Sequence, residues 1–387
     1  MIETSEALEA LVARALEAES VAIDTEFVWE RTYYPQLGLV QFGFSEDDTA
    51  LIDAVACPDL APLGRLLEAP DVVKILHDAT QDLTILRRIT GSHPKTIFDS
   101  RRAAGFVGLS ATLSLGDLVR EVVGVVLAKS EARTNWLQRP LSPEQQAYAH
   151  DDVRYLPAAR AALLDRARQR HREAWLHEEM TAYDDPALYA EKDPREQYLR
   201  IGGAGRLSPR QRAVLREVTA WREEEARRRD RPRGHIVADK VLAVLARRLP
   251  ASFSDLKTIS GLSERTVQRR GRAILQAVER GLAVPPEAYP PPPERPPNDE
   301  MLTARTHLAL AYLAGKSLHS GIDAALVATR AEVTALVAAG PDAASDGHPL
   351  LHGWRRAFAG EELLGLLRGQ HAVRLDPETG LPRIMAD

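Results

Sequence analysis

The sequence predicts a multidomain chain: an α/β domain built on a mixed sheet, followed by two all-α helical domains. Up to about Glu196, short apolar runs of strand length alternate with stretches of helical periodicity, the pattern of an α/β layer structure. From Leu207 onward only the helical period remains, and a proline-rich run near its middle divides that part in two. At 387 residues the chain is also too long for one ordinary core. The expected boundaries are 1–196 for the α/β domain, 206–284 for the first helical domain, 285–298 for the linker, 299–372 for the second helical domain and 373–387 for a loose tail.

Composition narrows the function classes. Hydrophobic residues make up 44% and charged residues 27%, as in a globular protein. Cys57 is the single cysteine, so no internal disulfide framework and no Cys-rich zinc site can form. It precedes a proline and has no recognisable nucleophile setting. The N-terminus, MIETSE, is acidic and lacks the basic and apolar regions of a signal peptide. No apolar run is long enough to span a bilayer, so a cytoplasmic protein with no membrane partner is expected. The net charge of −5 hides an asymmetry: residues 206–280 carry 19 Lys/Arg against 9 Asp/Glu, a local +10 that leaves −15 for the rest. A basic block beside acidic neighbours points to a polyanion partner.

In order, residues 5–19 have a helical apolar stripe, and 21–27, VAIDTEF, form a strand. Alternation along that strand puts Asp24 and Glu26 on one face beside Ala22. Two adjacent carboxylates repel and lose water on a central strand, which is costly unless a cation lies between them. All-oxygen ligation suits a hard cation such as Mg²⁺ or Mn²⁺. The alternative is a strand end whose acids reach solvent, and only further ligands from later segments decide between them. Residues 37–44 and 50–54 read as a hairpin. Asp53 reads as an ordinary strand-end acid. A helix over 59–68 and a strand over 72–76 follow. Asp78 and Gln81 then have the spacing of a capping box, which leaves Asp82, one turn in, without a structural task. Residues 96–99 read as a further strand. Ser142-Pro143-Glu144-Gln145 starts a helix with an N-cap and an N1 proline. Tyr148 and Asp152 share a face of it, either as site residues or as a passing surface contact.

VAIDTEF, KILHDATQDL and KSEARTNWLQRPLSPEQQAYAHDDVRYL, in that order, resemble the three motifs of the DEDDy family of 3′→5′ exonucleases, most closely its ribonuclease D branch. The resemblance implies an RNase H-like fold for the α/β domain. It implies that Asp24, Glu26, Asp82 and Asp152 hold two divalent metal ions, Mg²⁺ or Mn²⁺, about 3.5–4 Å apart. One ion would acidify the attacking water and the other would stabilise the leaving 3′-oxygen. Tyr148 would orient that water or act as its base, although a free tyrosine, with a pKa of about 10, is a poor base near neutrality. Asp78 and Asp151 fall where the family varies and are not carried over. Phe27 and His77 lie close enough in sequence to touch the terminal nucleotide; core packing for Phe27 and a satisfied turn for His77 are the alternatives. Lys129, Arg133 and Arg139 are candidates for phosphate contact, or else solvated surface charge.

The segments WREEEARRRDRPRGHIVADKVL and ISGLSERTVQRRG resemble the HRDC domain, a small helical nucleic-acid-binding module. Arg231 and Arg233 flank its Pro232 turn and are candidates for nucleic-acid contact. IDAALVATRAEVTALV and HGWRRAFAGEELLGLL look like a second, divergent HRDC-type domain that lacks the Arg-Pro-Arg-Gly turn and the basic density of the first. The linker should be an extended polyproline II spacer. The expectation is therefore a monomeric, metal-dependent 3′→5′ exoribonuclease. It should act on tRNA precursors and other small structured RNAs and release nucleoside 5′-monophosphates. A DNA exonuclease with the same acids, or a non-catalytic RNA-binding protein, are the rivals.

Overall fold

The computed structural model describes residues 1–128, 134–292, 299–344 and 347–386. Lys129 and Arg133 therefore lie outside the described residues. The chain divides into two compact units. The first comprises Met1–Glu26, Leu37–Tyr189 and Pro296–Asp387; the second comprises Phe27–Gln36 and Ala190–Arg295.

The first unit is built on a five-stranded sheet. Helix α1 (Ser5–Leu16) is capped by Thr4 and buries Leu8, Leu11, Val12 and Ala15. Strand β1 (Ser20–Val28) follows, then the antiparallel hairpin β2 (Gln36–Ser45) and β3 (Asp48–Asp53). Helix α2 (Leu63–Glu68), strand β4 (Val73–Leu76), helix α3 (Thr80–Thr90) and strand β5 (Ile97–Asp99) come next. The strand order is β3-β2-β1-β4-β5. β4 pairs in parallel with both β1 and β5, so the sheet is mixed and β1 is its central strand. Helices α4 (Ser100–Phe106), α5 (Leu115–Val122), α6 (Pro143–Arg154), α7 (Leu156–Gln169) and α8 (Glu173–Thr181) complete the α/β part.

The turn into α3 differs from the sequence expectation. Asp78 does not cap the helix: Ala79 is the N-cap and supplies no side-chain bond. Asp78 sits instead at φ +65° and pairs with Arg101. Its own backbone N–H and that of Ala79, just before the helix, go to Asp99, and the first amides of α3 have no side-chain cap.

The second unit is helical: α9 (Pro209–Arg229), α10 (Arg233–Ile236), α11 (Asp239–Arg248), α12 (Phe253–Lys257) and α13 (Glu264–Leu282). Its own core gathers Val214, Val218, Trp221, Leu242, Leu245, Leu256 and Ile274. A Cβ at Gly281 would meet the Val214 Cα at 2.5 Å, so glycine there lets α13 lie against α9. The first linker residues are tied to this unit, with Pro290 and Pro291 carbonyls accepting from Arg212 and Tyr198.

The C-terminal part contains α14 (Glu300–Ser320), α15 (Ala324–Val327), α16 (Arg330–Ala339), α17 (Gly353–Arg355) and α18 (Glu361–Leu367). It shares one hydrophobic core with the α/β part, through Phe106, Trp175, Trp354 and Phe358. The expected loose tail is a hairpin, β6 (His371–Leu375) paired with β7 (Pro382–Ala386). The alternation in AVRL and RIM allows pairing, and an Arg383–Asp376 ion pair at 2.6 Å helps close the hairpin. Among the described residues, no helix is long and apolar enough to cross a membrane.

Candidate active site

β1 fixes the first two acids. Ile23 lies among Val40, Phe42, Leu66 and Leu86 on one face of the sheet, so alternation turns Asp24 and Glu26 to the other face. Helix α6 covers that other face. A Cβ at Gly43 would meet the Val153 carbonyl oxygen at 2.5 Å, so the absence of a side chain on β2 lets α6 lie directly on the sheet. The helix begins with the expected capping box between Ser142 and Gln145, with Pro143 in its first turn. Asp152 is thereby brought to β1: carboxylate oxygens of Asp24, Glu26 and Asp152 lie within 4.8 Å of one another. Asp82, in the first turn of α3, accepts a hydrogen bond from Thr25 Oγ1 of β1 and acts electrostatically on the other three acids.

The four acids are frustrated as they stand. Burial, then the neighbouring carboxylates, push Glu26 up to about 9. Burial raises Asp152 to about 7 and Asp82 to about 6, each partly opposed by one hydroxyl, from Tyr148 and Thr25 respectively. Asp24 is driven well above the carboxylate range by burial and by all three neighbours. Asp152 Oδ2 is buried with no hydrogen-bond partner. A crowded set of oxygen donors with an orphaned oxygen fits hard divalent cations, which would restore ionisation of all four.

Tyr148 reaches Asp152 from one turn away, and its ring lies 6.0 Å from that of buried Trp136, tilted by 32°. Burial and the adjacent carboxylates raise its hydroxyl far above the ordinary phenol range. With no cation among the acids the group stays protonated, and its hydroxyl donates to Asp152.

The other candidates fare differently. His77 uses both ring nitrogens internally, at 2.9 Å from Ser100 Oγ and 3.0 Å from the Leu113 carbonyl, so the satisfied-turn alternative holds. Arg139 is corrected outright. Its five N–H donors go to Asp53 Oδ1 and Oδ2 and to the carbonyls of Gly38, Trp136 and Gln138, leaving none for phosphate. Asp53 is thus an ion-pair partner rather than a free strand-end acid, held below its usual pKa by Arg139 and two backbone amides despite its burial. Phe27 is half-buried at the end of β1, where the chain passes into the second unit. Arg231 and Arg233 are both exposed, and Arg233 is in addition held by Glu223 at 2.6 Å and by the Tyr33 hydroxyl at 3.2 Å. Thr25, Trp136 and Asp99 were not anticipated. Of these only Asp99 left a local trace, an acid directly before a helical stretch.

A family model described as 3′-5′ exonuclease matches residues 1–166, and one described as HRDC domain matches residues 211–278. The chain is 38% identical over 352 residues to ribonuclease D of Pseudomonas paraeruginosa, covering 90% of this chain and 92% of that one. It is 43% identical over 282 residues to ribonuclease D of Desulfotalea psychrophila, covering 73% and 75%. Among solved structures, Escherichia coli RNase D, described as an exoribonuclease involved in structured RNA processing, superposes with a TM-score of 0.84 at 31% identity, over 95% of this chain and 98% of that chain.

Proposed function

The chain belongs to the ribonuclease D family and is a 3′→5′ exoribonuclease, and we propose from this that it trims the 3′ ends of tRNA precursors and other small structured RNAs. The observation that supports the chemistry is the gathering of four buried or half-buried acids whose pKa values are raised by burial and, in part, by one another. Asp24, Glu26, Asp82 and Asp152 would hold two divalent cations, Mg²⁺ or Mn²⁺. When bound, these supply an acidified water and neutralise charge on the scissile phosphodiester. Tyr148, one turn before Asp152, would position the nucleophile through its hydroxyl or act as its base. Water adds to phosphorus, the bond to the 3′-oxygen breaks, and a nucleoside 5′-monophosphate leaves.

The second unit, matched as an HRDC domain, would hold the RNA backbone through its positive excess. Residues 299–372 are read as a divergent second HRDC-like domain, the protein as a monomer and the cytoplasm as its place of action. Incubating a 3′-extended tRNA precursor with Mg²⁺ or Mn²⁺ should yield mononucleotides and a stepwise-shortened RNA, and EDTA should stop it. Cleavage that persists in EDTA would overturn the metal-dependent reading, and equal turnover of the same sequence as DNA would overturn the RNA assignment.

A further inference from the structure

Asp99 closes β5 and caps α4, accepting the Arg101 amide at 2.9 Å and the Arg102 amide at 3.3 Å. The same carboxylate also accepts the backbone N–H groups of Asp78 at 3.2 Å and Ala79 at 3.1 Å. Those two amides lead into α3, which has no side-chain cap of its own and whose first turn carries Asp82. Asp78 is held there at φ +65°, a left-handed backbone that a non-glycine residue adopts only under constraint. Asp99, 1% exposed, supplies that constraint.

Asp99 is itself held. Its Oδ2 accepts the Tyr183 hydroxyl, which in turn accepts Arg102 Nε at 3.0 Å. Arg102 pairs with Glu179, which is 3% exposed. Glu179 also takes the Trp354 indole N–H at 2.9 Å and Arg355 at 2.8 Å. An unbroken polar chain thus runs from the C-terminal helices, through Glu179, Arg102, Tyr183 and Asp99, to the start of the helix that presents Asp82. Chains of this kind are strongest when every member is satisfied and buried.

We infer that Asp99, Tyr183 and Glu179 are positioning residues for the cation site, and that the C-terminal helices contribute to catalysis by fixing α3 and hence Asp82 through them. The inference rests on the reading of Asp82 as a metal ligand. A ligand must be held within about 0.5 Å of its productive place, and groups behind the ligands set that precision.

The test uses the full-length protein and two readouts, Mn²⁺ binding by calorimetry and single-turnover RNA cleavage across Mn²⁺ concentrations. Tyr183→Phe removes one oxygen and keeps the ring. It should weaken Mn²⁺ binding by roughly 3- to 10-fold, below the upper range for groups behind metal ligands. The cleavage rate should fall at low Mn²⁺ and recover at saturation, with KM for RNA unchanged. Glu179→Gln should do the same. Glu178→Gln is the control. Glu178 holds the Trp354 backbone N–H at 2.9 and 3.1 Å but does not lead to Asp99, so its loss should lower Tm and leave Mn²⁺ binding alone. Lower Tm with wild-type Mn²⁺ affinity in Tyr183→Phe and Glu179→Gln would overturn the inference. Should Glu179→Gln fail to fold, Tyr183→Phe alone decides. Asp82→Asn separates the two levels: if it binds Mn²⁺ as tightly as the wild type, the metal reading itself falls.

Discussion

Two sets of buried and half-buried acids in this molecule have opposite surroundings. In the second unit, Glu217 faces Arg195 at 3.1 Å, Arg216 at 3.3 Å and Arg280 at 3.8 Å. Glu223 faces Arg222 at 3.3 Å and Arg233 at 2.6 Å, and takes the Tyr33 hydroxyl at 3.1 Å. In the first unit, Asp24, Glu26, Asp82 and Asp152 face mainly one another. A buried acid surrounded by guanidinium groups is part of the scaffold. A buried acid surrounded by acids opposes folding until a cation arrives, and such local conflict marks a functional site.

The sharpest way to break this contrast is to neutralise one member of each set. Asp24→Asn or Asp82→Asn should lower single-turnover cleavage by roughly 10³-fold, about 4 kcal/mol of transition-state stabilisation. The metal-free fold should gain on the order of 1–2 kcal/mol at pH 8, since the amide has no charge to bury. Asp78→Asn and Asp151→Asn, outside the cluster, should keep most activity. Glu223→Gln should do the reverse. It removes the buried carboxylate shared by Arg222 and Arg233, leaving Arg222 with Asp239 and the Val237 carbonyl, and should cost about 3 kcal/mol in chemical denaturation while leaving cleavage of a short RNA intact. If both substitutions shift stability in the same direction, the contrast is wrong.

The pH dependence follows from the raised values. Folded pKa values near 6, 7 and 9 for Asp82, Asp152 and Glu26 mean that the metal-free folded state holds more protons than the unfolded chain above about pH 4. Stability of the metal-free protein should therefore be fullest at low pH and fall as pH rises through those values. Cations require the ionised acids, so the Tm increment from Mn²⁺ should grow from pH 5 to pH 8. Thermal melts with and without Mn²⁺ at the two pH values check this, and an increment that shrinks with pH would refute it.

Tyr148→Phe should reduce kcat about 10-fold with little change in Mn²⁺ affinity, because a protonated hydroxyl orients rather than ligates. Loss of metal affinity instead would assign it to the ion site. The smallest effect concerns the surface. Arg231→Glu should lower the salt slope of RNA binding by about 1, measured in an Asp24→Asn background. Arg233→Glu should instead destabilise the fold, since Arg233 already serves Glu223 and Tyr33.

Patterns within a few residues raised the acids as candidates, and only three such motifs in order, with the family they resemble, selected the four. Alternation in VAIDTEF, the i,i+4 spacing of Tyr148 and Asp152, and the Ser142–Gln145 capping box are all local, and each appears in the structure as read. So are the apolar periods that place α/β elements before helices. What only the tertiary structure decided depends on partners far apart in sequence. Arg139 finds Asp53, Asp99 takes the amides of Asp78 and Ala79 just before α3, and Trp354 and Arg355 reach Glu179. The hairpin of β6 and β7 packs where Gly315 has no side chain, since a Cβ there would collide with the Pro382 carbonyl oxygen. Backbone propensity and side-chain period act over one or two turns, so they are written in the local sequence. Which acceptor satisfies a buried donor is settled by whatever the fold brings within about 3 Å, and no local pattern encodes that.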